Sequence, residues 1–125
     1  MDDLIAFLRA RLDEDERAAV AAAGQQTYYD WEVHEAEPPE QPEVRVKDKP
    51  YRVAGGVDDS TAMHIARHDP ARVLSEIESK RRLIQWCEWM VGDFRGSDVW
   101  KDVLPLLALP YVGHSDYRAE WRPED

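Results

Sequence analysis

At 125 residues the chain is long enough for one ordinary domain and leaves no room for two. Its 43% hydrophobic and 34% charged residues support a modest core and exclude wholesale disorder. With 26 acidic against 16 basic residues the formal net charge is −10, the wrong sign for a general nucleic-acid binder held by phosphates.

Residues 2–23 read as a helix, because Leu4, Ile5, Leu8 and Leu12 fall on one face of a 3.6-residue period. Asp2 and Asp3 suit its N-terminal dipole, and Gly24 is a natural C-terminal cap. The cluster Asp13-Glu14-Asp15-Glu16 reads as a solvated face. Residues 27–34 change to period two, with Tyr29, Trp31 and Val33 alternating against Asp30, Glu32 and His34. Val44 and Val46, then Tyr51 and Val53, form two similar runs, joined by a turn at Asp48-Lys49-Pro50. Between the first two runs, residues 35–43 carry three prolines and four glutamates and read as an extended, exposed loop.

Asp58-Asp59-Ser60 offers N-caps for a short helix over 60–68. Asp69 caps the next helix and Pro70 occupies its first turn. That helix runs from 70 to about 91. Its core stripe is Val73, Ile77, Ile84, Cys87 and Val91, and Leu83, Trp86 and Met90 widen the buried face. Trp86 reads as core, while Trp89 lies opposite the stripe as either covered side chain or interface anchor. Gly92 and Gly96 bracket a break, and Ser97 or Asp98 caps a last, almost wholly apolar helix through Leu109. Pro105 should kink or restart it, and Pro110 ends it. Tyr111, Tyr117 and Trp121 make the remaining tail too aromatic to stay free, so it should fold back on the core.

The expected fold is α+β: an N-terminal helix, a small antiparallel sheet of two or three strands, then a helical C-terminal half, as a single domain over residues 1–125. Charge helps pair the strands. Residues 27–43 hold six acidic side chains and no Lys or Arg, whereas residues 44–55 hold four basic and one acidic. Lys80-Arg81-Arg82 is a basic patch, but Glu76 and Glu78 stand four residues before Lys80 and Arg82, the spacing of stabilising helix pairs.

Few constellations carry chemistry. His64 and His68 would share a helix face, yet Ile65 stands where a zinc-protease signature needs Glu, and a third ligand would have to come from Asp69, His34 or His114. No metal or cofactor is therefore expected. Cys87, the only cysteine, permits no internal disulfide, points to a reducing compartment and, on an apolar stripe, reads as inert. No serine sits in a nucleophile elbow and no phosphate-binding glycine loop is present, so the balance leans away from an enzyme. No apolar run approaches the roughly 18–20 residues of a membrane span, and Met1-Asp2-Asp3 is unlike a signal peptide; the expectation is cytoplasmic.

Three stretches carry a family resemblance. They are Asp2-Asp3-Leu4-Ile5-Ala6-Phe7-Leu8-Arg9-Ala10-Arg11-Leu12-Asp13-Glu14-Asp15, then His64-Ile65-Ala66-Arg67-His68-Asp69-Pro70-Ala71-Arg72-Val73-Leu74, then Leu107-Ala108-Leu109-Pro110-Tyr111 with His114, Asp116-Tyr117-Arg118 and Trp121-Arg122-Pro123. Together they resemble small actinobacterial and actinophage proteins grouped as domain of unknown function 6221. The use of 12 Arg against 4 Lys fits such a GC-rich source. The sequence departs from the family at Pro105, at Val112-Gly113 and at Ser115, and between Trp86 and Asp102 only Cys87 remains of a frequent Cys/His-rich insert. The resemblance implies no activity.

The motif residues suggest a polar clasp in which His68, Asp69, Arg72, Tyr111 and His114 meet, either as a structural device or, with His64, as a ligand pocket. The leading functional expectation is a non-enzymatic interaction or regulatory protein, binding a protein partner through its acidic hairpin or an exposed tryptophan. The runner-up is a small-molecule- or metal-binding, even hydrolytic, domain using the His64/His68/His114 corner. Because the last helix is apolar on nearly every face, a two-fold homodimer anchored by Trp89 and Trp100 is also expected.

Overall fold

A computed structural model describes residues 1–24, 28–93 and 98–124, and the side chains of 91–93 lie outside that description. Thr27, the Val91 side chain, Gly96 and Ser97, all used in the expectations above, fall outside it. The elements follow the order α1 (Asp2–Ala23), β1 (Trp31–His34), β2 (Glu43–Val46), β3 (Arg52–Ala54), α2 (Asp59–Arg67), α3 (Pro70–Asp93) and α4 (Val99–Ala108). Two 3-10 turns, Leu109–Tyr111 and Ala119–Trp121, complete the tail. The fold is α+β, with three strands among the described residues. Among the described residues, no helix is long and apolar enough to cross a membrane.

The chain forms two compact units, one of Met1–Asp15 with Ile77–Asp125 and one of Glu16–Glu76. In the first, Leu4, Ile5, Leu8 and Leu12 of α1 are buried as their period requires, together with Phe7 and Arg11 on the neighbouring stripe. Ile77, Ile84 and Cys87 of α3, and Leu104 and Ala108 of α4, are buried in the same unit. Burial raises the Cys87 thiol above its ordinary pKa, which keeps it protonated. Leu83 and Trp86 do not extend the buried face of α3: they are 41% and 46% exposed. The stripe through Ile77, Ile84 and Cys87 already uses the helix surface that meets this core, and positions 83 and 86 lie to its side.

In the α4 region the helix runs through Pro105 without restarting, and it ends at Ala108, one residue before the expected Leu109. Asp98 stands at the N-cap position but caps nothing with its side chain, which pairs instead with Lys101 at 3.1 Å. Leu104 and Ala108 share one buried face while Val99 and Leu106 remain 40% and 55% exposed, since a nearly all-apolar helix cannot bury every face against one core.

The second unit is built around the sheet. Its order is β1-β2-β3, both pairings antiparallel, with Trp31 opposite Val46 and Val33 opposite Val44. Val44 and Val46 are buried, α2 packs on β1 and β2, and Ala62 of α2 is buried. The β2–β3 turn places Asp48 at φ 59°, a left-handed conformation that Asp tolerates better than most residues. Glu43 begins β2 rather than closing the loop. Arg45 and Arg52 are directly opposed across β2 and β3, and like charges so placed repel. Glu43 answers both, accepting from Arg45 Nε and Arg52 Nη2 at 2.9 Å each, and these bonds hold its carboxyl below the usual range.

Candidate functional site

Around Phe7 the tail closes back on α1. Tyr111, His114 and Tyr117 meet the Phe7 ring edge-on, with centroids 6.2, 5.7 and 6.0 Å away, and Trp121 tilts over it at 5.1 Å. Such edge-to-face packing directs the positive rim of one ring at the negative face of another. One turn along α1, the buried Arg11 guanidinium lies 5.2 Å from the Phe7 centroid. Its Nη1 meets the His114 ring, 2.8 Å from Nδ1, and its Nη2 donates to Glu14 at 2.9 Å. Nδ1 of His114 also accepts the backbone N–H of Asp116 at 3.0 Å.

Tyr111 donates to Asp15 at 2.6 Å, Arg81 donates to Asp13 at 2.8 Å, and Arg118 donates to Asp3 at 3.0 Å. Burial first, and the Asp15 carboxylate second, push the Tyr111 phenol well above its ordinary pKa. The acidic run of α1 is therefore not a purely solvated face. Asp13, Glu14 and Asp15 each receive a distinct donor. Sequence reading missed Phe7 and Arg11, whose spacing of four was the available signal for a second stripe beside the leucines.

In the second unit, Asp69 ties the start of α3 to the sheet. Its Oδ1 accepts from the Arg72 N–H at 2.9 Å, the expected cap, and its Oδ2 accepts from the Trp31 N–H at 3.1 Å. Arg72 reaches Glu76 at 3.1 Å, and further along α3, in the first unit, Arg82 reaches Glu78 at 2.7 Å. Asp58 caps α2 through Thr61 at 2.8 Å. His64 and His68 come together with ring centroids 4.3 Å apart, and Ser60, Met63, His64, Arg67 and His68 line an open cavity of about 280 Å³.

The six residues expected at the polar corner thus divide by unit. Tyr111 and His114 join the aromatic cluster of the first unit, whereas His64, His68, Asp69 and Arg72 belong to the second. Each of the two sets has polar partners of its own. Among the described residues, no group of three or more His, Cys, Asp or Glu is placed to hold a metal ion. Trp89 is 49% exposed, and Trp100 is half-buried with the Lys101 ammonium 5.7 Å from its ring. A groove of about 460 Å³ lies between Pro105 and Leu106 of α4 and Trp121 and Pro123 of the tail.

A family model described as a family of unknown function, DUF6221, matches residues 1–123. Neither the curated proteins nor the solved structures contain a match to the chain.

Proposed function

We propose that this chain, which belongs to the family of unknown function DUF6221, is a non-enzymatic protein-interaction or regulatory module that binds its partner through α3. The observation carrying this reading is the exposure of Leu83, Trp86 and Trp89 on one helix, at 41%, 46% and 49%. Successive spacings of three rotate by only about 60° around a helix, so the three form one oblique apolar ridge. A tryptophan offers up to roughly 250 Å² of surface, so covering each half-exposed ring removes about 100 Å² from water. At roughly 25 cal/mol/Å² that is about 2.5 kcal/mol per ring, enough to make either an interface anchor.

The acidic hairpin supports the reading less well than the ridge does. Glu43 is engaged by Arg45 and Arg52, and Glu32 by His34, which leaves Glu35, Glu37 and Glu40 as the exposed acidic loop. A second copy of the chain is one candidate partner, with Trp89 and Trp100 as anchors. Light scattering over a concentration series reads it directly: a mass held at 14.5 kDa removes the homodimer. The arginine-rich composition, 12 Arg to 4 Lys, supports an actinobacterial or phage source.

The test compares wild type with Leu83→Glu and Trp86→Glu in affinity capture from the native host, followed by direct titration of the purified partner. A partner held by wild type and released by both variants, with unchanged melting temperature, supports the ridge. Equal recovery by all three forms overturns it.

A further inference from the structure

We propose that His64 and His68 form a two-histidine site for a divalent transition-metal ion of the copper, nickel or zinc class. The two residues stand four apart, in the last turn and at the C-cap of α2, which stacks one ring above the other on a single face. Their centroids are 4.3 Å apart. Chelation further requires that an unprotonated nitrogen face outward. His68 Nδ1 lies 2.9 Å from the carbonyl oxygen of His64, and a carbonyl can only accept, so Nδ1 carries the proton and the lone pair resides on Nε2. A backbone carbonyl fixing the tautomer in this way is the usual support of a metal-bound histidine.

The helix end favours a cation at the two rings, against the Arg67 guanidinium that lines the same cavity. The C-terminal end of a helix presents partial negative charge from its unpaired carbonyls, which favours positive charge at positions 64 to 68 and disfavours an anion bound alone. Ser60, Met63, His64, Arg67 and His68 recur on one side of α2 and leave about 280 Å³ open above the rings. That space admits water, or a small anion paired with Arg67, in the positions the protein does not fill. With two protein ligands rather than three, geometry imposes little choice of metal, so affinity follows the intrinsic order with copper above nickel and zinc. The site is independent of the α3 ridge, and its test reads a different property.

Nickel and copper chlorides are titrated calorimetrically into the full chain and into His64→Ala, His68→Ala and the double variant. His34 and His114 remain in every form and set the background. Wild type should bind one equivalent, each single variant should bind at least about tenfold more weakly because the second tethered ligand is lost, and the double variant should fall to background. The copper complex should show paramagnetic-resonance coupling to two imidazole nitrogens in wild type and to one in each single variant. His64→Gln replaces His64→Ala if circular dichroism shows that the alanine variant melts early. Wild-type binding no tighter than that of the double variant, or coupling unchanged by the single substitutions, overturns the site.

Discussion

Replacing Phe7 probes the cluster that holds the tail to α1. The ring is 7% exposed and touches four aromatic or imidazole rings plus the Arg11 guanidinium. Deleting a buried phenylalanine to alanine costs about 3–5 kcal/mol, and the better helix propensity of alanine returns only about 0.5 kcal/mol. Phe7→Leu retains most of the aliphatic volume and loses the edge contacts, so about 1–2 kcal/mol is expected. Urea unfolding followed by circular dichroism measures both losses. Trypsin localises them, because Arg118 lies in the tail and is followed by Ala119, whereas Arg122 is shielded by Pro123. If about 3 kcal/mol of the loss falls on tail opening, cleavage after Arg118 accelerates by roughly 150-fold in Phe7→Ala. A loss below about 1 kcal/mol with cleavage changed less than about threefold would show that the cluster does not hold the tail.

Three further outcomes test the remaining interactions. Glu43, Glu32 and Asp58 are all held below their ordinary values, first by Arg45, His34 and the Thr61 N–H respectively. Lowered carboxyl values stabilise the fold fully above about pH 4.5 and lose that contribution as pH falls through them, so melting temperature should drop below pH 4.5 and Glu43→Gln should flatten part of the drop. A profile identical in wild type and Glu43→Gln refutes this. Asp69→Ala removes the α3 cap and leaves the Trp31 N–H unpaired, costing about 1–2 kcal/mol, while Asp69→Asn keeps an acceptor and most of the stability; amide exchange at Trp31 and Arg72 separates the two effects. Cys87 should resist Ellman's reagent at pH 8 in the native chain and react at once in urea, because burial raises its thiol pKa; rapid native reaction contradicts the burial.

How much was legible varies with the range of the interaction. The α1 stripe, the Asp58 and Asp69 caps, Pro70 in the first turn of α3 and the paired runs of the sheet all depend on residues within a few positions of one another, or on strict alternation. Those patterns are written locally, and the structure has the helix stripe and the caps where the periodicity puts them. The first strand, by contrast, begins at Trp31 and leaves Tyr28, Tyr29 and Asp30 of its run outside the sheet. One local reading failed: hydrophobicity puts Leu83 and Trp86 in the core, and the structure leaves both exposed. The acidic run, by contrast, stays at the surface with Asp13 and Glu14 exposed. Residue type alone does not say what faces a side chain.

The sequence by itself determined the order of helix, sheet and helices along the chain and the caps that start α2 and α3. Tertiary structure alone decided the partners. Arg11 finds His114 across 103 positions, Tyr111 finds Asp15 across 96, and Trp31 finds Asp69 across 38. Backbone periodicity extends over a turn or two, whereas a buried guanidinium takes whatever acceptor the closed chain carries to it. Only the folded chain specifies which acceptor that is.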